Sequence, residues 1–380
     1  MPTPSNDTPP DLLVAGASAR AAAFSAIRAG LSVAAADLFA DCDLAGNTDA
    51  TRIVDWPAGI EIWAAGFPSR VPLIYTGGLE NEPELLDRIA ANRPLLGIRG
   101  EPLRQVRTSE QLQQILQNAG VPVANCGYSS SKSTKRWLFK PRRSAAGRGV
   151  RFWNGELVGP ETYLQEFVEG TPGSAAFLAT RGSVEFLGAT DLLLPDSAPL
   201  SVETPFAYVG SVTSNGVSAA SFEQLGSCLA GAGLTGLFGV DFVRPCRAEP
   251  TSFVVIEVNP RYTAGMEVLE LRSGRSFVAE HLAAFAPGMI NDGTPVASSE
   301  QQQCIGKRIV YAPETIEVGP LPVPTFDQIM TGRHEFADVP KAGSIISAGA
   351  PICTIFAKAD SPRACVRSLR QRELALLREM

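Results

Sequence analysis

The sequence predicts a mixed α/β (α+β) protein, and three stretches carry that reading. The chain opens on a strand, turn, helix, strand pattern: Leu12 to Gly16, then Ser18 to Ala29 stopped by Gly30, then Ser32 to Ala36. Two strongly β segments, Phe238 to Val243 and Phe253 to Asn259, close the middle region across a polar turn that holds Pro245 and Pro250. From about Gln301 onward, short β runs punctuated by Gly and Pro take over. At 380 residues the chain is too long for one ordinary core. The changes of texture divide it into a βαβ domain over 1–100, a central domain over 101–300, and a C-terminal β-rich region with a terminal helix over 301–380.

Taken in order, the turn Gly16-Ala17-Ser18-Ala19-Arg20 has one glycine of a dinucleotide fingerprint. Asp37 stands about where a ribose-binding acid would, but so sparse a motif favours a structural βαβ unit over a nicotinamide or flavin site. Pro72 to Tyr75 reads as a strand running into the loop Thr76-Gly77-Gly78-Leu79-Glu80-Asn81, and a helix follows from Glu82 to Asn92. Ser109 to Ala119 is a helix with Leu112, Ile115 and Leu116 on one face, ended by Gly120 and Pro122. Arg136 to Lys140 alternates as a strand, with Trp137 and Phe139 on one face and Arg136, Leu138 and Lys140 on the other. With Val150 to Trp153 it makes a hairpin whose tip, 144–149, is small and flexible. Tyr163 to Val168 is a further strand, stopped by Glu169-Gly170-Thr171-Pro172-Gly173. Late strands are expected at Ser344 to Ser347 and Ile352 to Phe356. A basic helix over Pro362 to Arg378 turns Leu369, Leu374 and Leu377 toward its cover.

A 45% hydrophobic and 19% charged composition with mean hydropathy near zero describes a folded, soluble chain, with Met1 to Pro10 as the floppy part. No run approaches the roughly 20 apolar residues that span a bilayer, and the start lacks a basic flank before an apolar core, so a cytoplasmic protein without a membrane partner is expected. Seven widely spaced cysteines without a C-x-x-C pair read as reduced structural thiols. A net charge of −6 opposes nucleic-acid binding. Against that average, Lys132 to Arg151 holds eight basic residues and no acid, which suits a small anionic ligand.

The chemistry-bearing pattern lies in the two late strands. Side chains alternate along Val255-Ile256-Glu257-Val258-Asn259, so Glu257 and Asn259 share a face. A hairpin symmetric about Glu249 would set Asp241 directly opposite Glu257, and two facing carboxylates destabilise a sheet unless they share a cation. Hard oxygen donors of this kind suit Mg²⁺ held jointly with nucleotide phosphates. A solvated acid pair is the competing reading, which the apolar flanks oppose. At the other end, Lys140 brings a point charge, and a tip containing Ser144, Gly147 and Gly149 lets backbone N–H groups approach phosphate oxygens. No Gly-Lys-Ser/Thr closes it as a Walker A loop, and alone it reads more readily as an ordinary exposed hairpin.

In order, Lys140-Pro141 with the hairpin tip, Gln165-Glu166-Phe167-Val168-Glu169-Gly170, Gly239-Val240-Asp241-Phe242 and Glu257-Val258-Asn259-Pro260-Arg261 resemble the ATP-grasp superfamily over roughly residues 100–290. The βαβ region looks like that superfamily's pre-grasp domain. The resemblance implies the following roles. Lys140 and the tip meet ATP phosphates, and the backbone of Glu166, Phe167 and Val168 lines the adenine. Asp241, Glu257 and Asn259 coordinate Mg²⁺. Arg261 holds phosphate or acyl phosphate and shares catalysis with Lys140. Arg107 matches the basic residue that precedes the helix at Ser109. The sequence departs from the pattern at Gly173 and Ser174, where family members often place a ribose-binding acid, so Glu169 is the substitute.

The resemblance further implies an ATP-dependent ligase that activates a small carboxylate as an acyl phosphate for an amine, releasing ADP and phosphate. Alternatives are a biotin-carboxylase-like carboligase acting on bicarbonate, for which the chain looks short, and an ATP-binding sensor without turnover. More narrowly, the Tyr75 to Asn81 loop and the C-terminal Gly/Pro pattern are similar to predicted ATP-grasp carboligases of pterin-linked one-carbon metabolism. That implies a cofactor precursor joined to an amino acid such as glutamate, with Glu80 either meeting the amine or standing in a plain turn. His281 and His334 are read as structural or surface residues. The C-terminal β region resembles biotin and lipoyl carriers but lacks their Met-Lys-Met, so it is read as a structural cover. A homodimer is left open, and the sequence does not fix the oligomeric state.

Overall fold

The apolar runs near the N-terminus are buried along their whole length, as strands are when helices cover both faces of a sheet. In the computed structural model, which describes residues 8–127, 135–196, 204–246, 252–289 and 303–380, they form a parallel sheet. Its order is Asp49–Arg52, Val33–Asp37, Leu12–Ala15, Leu73–Tyr75. Lys132, Glu249, Pro250, Gln301 and most of the N-terminal stretch expected to be floppy lie outside the described residues. The first helix spans Arg20–Arg28, starting two residues later than expected. Asp37 is spent locally, since its carboxylate accepts the N–H groups of Ala19, Phe39 and Ala40, and it is not free for a ribose.

A small antiparallel sheet follows, in the order Cys126–Gly127, Thr162–Glu166, Trp137–Pro141, Arg151–Phe152. It faces an eight-stranded antiparallel sheet ordered Val254–Asn259, Gly236–Pro245, Gly170–Thr180, Ser183–Leu193, Gly210–Thr213, Cys304–Tyr311, Pro351–Ala359, Phe336–Ala337. The central strands therefore run on into the C-terminal ones without a break in hydrogen bonding.

The Glu169 to Gly173 segment is not a stop. Gly170 and Gly173 begin a strand, and their lack of a side chain serves close packing: a Cβ on Gly170 would come within 2.0 Å of the Arg244 carbonyl oxygen, and one on Gly173 within 2.6 Å of the Phe242 ring. Pro172 is tolerated because that end of the strand pairs on one side only, with Val243, beyond the last rung to Ser183–Leu193 at Gly173. Helices at Gly100–Arg107, Glu223–Gly231, Ala264–Ser273 and Phe277–Phe285 also went unread in the sequence.

Behind the large sheet, Phe177 stacks on Phe238 at 5.1 Å and Phe222 on Phe253 at 4.5 Å, continuous with the core under the parallel sheet. The last helix, Pro362–Glu379, buries Cys365, Leu369 and Leu376 against the C-terminal strands, while Leu374 is exposed, contrary to expectation. Among the described residues no helix is long and apolar enough to cross a membrane.

The parts of the chain meet at a buried ionic cluster. Arg20 donates to both oxygens of Glu267 and both oxygens of Asp338, and Lys307 donates to Glu267 Oε2 at 2.7 Å. Arg20, Glu267 and Lys307 are each at most 4% exposed. Removing one member strands the others in low dielectric. Arg20→Ala is therefore expected to cost about 3–5 kcal/mol in urea denaturation. Burial resists ionisation of Glu267, but Arg20 and Lys307 outweigh it and hold the carboxyl far below its ordinary 4.5. A depressed folded value makes this contribution present above that pH and lost below it, so the urea midpoint should fall as the wild type is acidified through about pH 4.

Candidate active site

The hairpin of the two late strands has the expected register: Asp241 pairs with Glu257 and Gly239 with Asn259. Beyond Asp241 the ladder slips, because Ile256 bulges out of the pairing between Glu257 and Val255. The freed Ile256 carbonyl accepts Gln165 Nε2 at 2.9 Å, which ties this hairpin to the small sheet.

Three cations surround the carboxylates. Arg107 ends the helix Gly100–Arg107 and reaches Glu257 Oε1 from Nη1 at 2.7 Å, and its Nη2 holds Asn81 Oδ1 at 2.7 Å. Lys140 donates to Gln165 Oε1 at 3.1 Å and lies near Tyr163. It is buried, not displayed on an exposed hairpin. Arg261 donates from Nη2 to Glu80 Oε1 at 2.6 Å and to Asn259 Oδ1 at 3.2 Å.

Asp241 has no such cation bonded to it. Its partners are the Asn259 amide at 3.1 Å and the Ser174 hydroxyl. Burial, and then the charge of Glu257, push its carboxyl up to about 6. Glu257 behaves oppositely: burial works against its charge, but Arg107, Lys140 and Arg261 keep it below the ordinary carboxylate range. Two facing carboxylates, one of them under-compensated, with an amide oxygen beside them form a hard donor set. Among the described residues no cluster of three or more His, Cys, Asp or Glu gathers, so the set is too small for a full protein cage. It fits Mg²⁺ completed by phosphate oxygens.

These groups line a cavity of about 540 Å³ between the two antiparallel sheets. Val123, Leu138, Phe167, Val168, Phe206 and Ile256 add apolar lining to it. Clustered charge beside apolar walls suits a nucleotide. Glu166, Phe167 and Val168 line it as expected, and the Glu166 carboxylate is occupied by Lys135 and Asn125, each at 2.6 Å. Glu169 is exposed and lies outside the lining, as does Gly173, whereas Ser174 lies within it.

The tip 144–149 is anchored where a flexible tip was expected. Tyr208 N–H donates to Ala146 O at 3.0 Å, Asn81 Nδ2 to Ser144 O at 3.2 Å, and Ser144 Oγ to Arg148 O at 2.7 Å. Gly147 and Gly149 both have positive φ, and a Cβ on Gly147 would fall 1.9 Å from the Phe206 carbonyl oxygen. Sequence reasoning missed Tyr163, Phe206, Tyr208 and Lys307, all of which line the cavity, and gave Gln165 no role beyond its place in a motif. The one available signal, for Gln165, was its place two residues after Tyr163, on the same face of a strand.

A mixed α/β architecture whose two antiparallel sheets enclose such a cleft defines the class. Residues 108–265 match the family model of the ATP-grasp domain. That segment carries the ATP-grasp fold, and over nearly its whole length the chain shares the fold of solved structures. A biotin carboxylase from Campylobacter jejuni, solved as its beta-gamma-ATP complex, is similar over 96% of this chain and 91% of its own, with TM-score 0.67 and 14% identity. The biotin carboxylase domain of a 2-oxoglutarate carboxylase from Hydrogenobacter thermophilus, solved with MgADP, ADP and bicarbonate, is similar over 96% and 89%, with TM-score 0.68 and 14% identity. An N5-carboxyaminoimidazole ribonucleotide synthetase from Thermus thermophilus is similar over 96% and 97%, with TM-score 0.62 and 17% identity. No curated protein matches the chain in sequence.

The acid pair and the lysine beside it yield separate expectations. Asp241→Asn removes the cross-strand repulsion, so the ligand-free protein should gain a few tenths to about 1 kcal/mol in thermal unfolding. The same variant should lose the Mg²⁺-dependent part of ATP affinity in calorimetry, and an unchanged Mg²⁺ response would remove Asp241 from the metal set. Lys140→Ala removes a buried cationic donor from the cavity lining. ATP affinity should fall about 10- to 100-fold, the equivalent of one charged hydrogen bond, in a variant whose circular dichroism is that of the wild type.

Proposed function

We propose that the protein is an ATP-dependent ligase that activates a substrate carboxylate as an acyl phosphate and passes the acyl group to an amine. The observation that carries this reading is the convergence of Asp241, Glu257 and Asn259 with Lys140, Arg107 and Arg261 in the cavity. Positive charge and metal-type oxygens clustered around the terminal phosphate favour attack on its phosphorus over attack at the α-phosphate.

Mg²⁺ bound with ATP would neutralise the phosphate oxygens. Lys140 supplies a fixed positive charge beside the transferred group, and Arg261 presents a planar fork to it. A carboxylate oxygen of the acid forms the new bond to the γ-phosphorus while the bond to the ADP oxygen breaks. The amine then bonds to the acyl carbon, inorganic phosphate leaves, and the amine's proton passes to solvent. No side chain is covalently modified. His281, whose Nδ1 accepts Leu237 N–H and whose Nε2 lies 2.7 Å from Leu96 O, is structural, and neither histidine lines the cavity.

A second reading, with bicarbonate as the carboxylate, gains support from the comparisons. The chain covers about nine-tenths of two biotin carboxylase chains, so it is not short for that branch.

The test separates these outcomes. Protein, Mg²⁺-ATP, hydroxylamine and pooled acids, with pterin-type acids and glutamate as one pool, are incubated, and nucleotides and hydroxamate are assayed. The proposal expects ADP together with hydroxamate in an acid-dependent reaction. AMP as the stoichiometric product would overturn it, and ADP release that depends on bicarbonate alone would establish the second reading.

A further inference from the structure

We infer that Glu80 is a positioning residue, which acts by holding the Arg261 guanidinium from behind so that the N-terminal domain sets the group facing the transferred phosphoryl. The inference rests on the proposed role of Arg261 and adds a residue to it.

The geometry is specific. Glu80 sits in the single turn Leu79–Asn81 after the strand Leu73–Tyr75 and is 1% exposed. It does not line the cavity, whereas Thr76, Gly77 and Arg261 do. Glu80 therefore cannot meet an incoming amine from there, and its one ionic partner on the site side is Arg261, at 2.6 Å. Burial opposes its charge, but Arg261 and then Arg107 keep the carboxyl below its ordinary value, so the contact is a buried ion pair. Glu80 Oε2 and Arg261 Nε are both buried without a hydrogen-bond partner, so the pair depends on its single short bond.

Both flanks of the turn are pressed onto the same segment. The Tyr75 hydroxyl donates to Ile98 O at 2.6 Å and lies 3.1 Å from Pro260 O, the residue before Arg261. A Cβ on Gly77 would stand 3.4 Å from Arg261 Cζ, so the backbone itself backs the guanidinium. The next residue, Asn81, holds Arg107 by the same logic and reaches Ser144 O of the tip. A lost carboxylate would free a guanidinium with rotatable bonds to rearrange, and small misplacements of a charge at a reacting centre cost rate before they cost binding.

The experiment has two arms. In the first, phenylglyoxal modification of Arg261 is timed by peptide mass spectrometry in wild type and Glu80→Gln. The expected result is a rise of at least about threefold at Arg261 with Arg107 unchanged, and a wild-type rate in the folded variant would overturn the inference. Glu80→Asp, which keeps the charge but retracts it by one methylene, should give an intermediate rate and serves in place of Glu80→Gln if the amide does not fold. In the second arm, Glu80→Gln should lower kcat at least about tenfold while KM for ATP stays within about threefold. Placed on Arg261→Lys it should add no further loss, since it acts through that residue. Losses that multiply in the double variant, or a KM that rises with the fall in kcat, would mark a general structural role and overturn the inference. Should the wild type form no ADP from any acid, the ligase reading fails, while the labelling arm still decides what Glu80 holds.

Discussion

The pairing of Arg20 with Glu267 and Asp338 constrains how the elements around the cavity meet. The three residues come from the first helix, from the helix Ala264–Ser273 and from the C-terminal region. A guanidinium offers five donors in a fixed plane, and this one spends them on four carboxylate oxygens, which leaves little freedom in how the elements approach. Asp43 adds a second tie, because its carboxylate accepts the N–H groups of Asp338 and Val339. Apolar packing alone could slide by a fraction of an ångström. Buried charges with this geometry cannot slide without losing partners that water does not replace.

The contrast with Asp241 and Glu257 is chemical. In the Arg20 cluster Glu267 and Asp338 each have a cation bonded to them. Around the cavity Arg107 serves Glu257 and Arg261 serves Glu80, while Lys140 is bonded to an amide oxygen. Asp241 is left with an amide and a hydroxyl, and its raised carboxyl records that shortage. Burial likewise pushes Asp43, beside the Arg20 cluster, up to about 6, but both its oxygens accept backbone N–H groups. Asp241 differs in lining the cleft, where such a perturbation points to a binding function more than to stability.

This division also explains what the sequence could disclose. Period-2 alternation put Glu257 and Asn259 on one face and found Asp241 across from them, because hairpin register is a local property. The opening βαβ unit was legible for the same reason. Gly170 and Gly173 were misread as turn residues: a close approach of two backbones looks in sequence like a bend. Ala264–Ser273 escaped because it is buried nearly all round, and its inward Glu267 and Glu270 look like surface charges until Arg20 and Arg28 are placed against them. Glu80 was visible as an unusual acid in a glycine loop, but its partner lies 181 residues away and no local pattern could supply it.

The tip 144–149 shows how local softness becomes rigidity in context. Its residues give the backbone freedom, which in an isolated hairpin would mean motion. Here that freedom lets the chain come within contact of the Phe206 carbonyl, take the Tyr208 N–H and meet Asn81. The tip is thereby held from the segment before the strand Gly210–Thr213 on one side and from Asn81 on the other. The acyl phosphate of the proposed reaction would be lost to water unless water is kept out, and a tip held from two sides would serve that chemistry. The turn that carries Glu80 and Asn81 joins both tasks, since adjacent residues hold the Arg261 guanidinium and the tip.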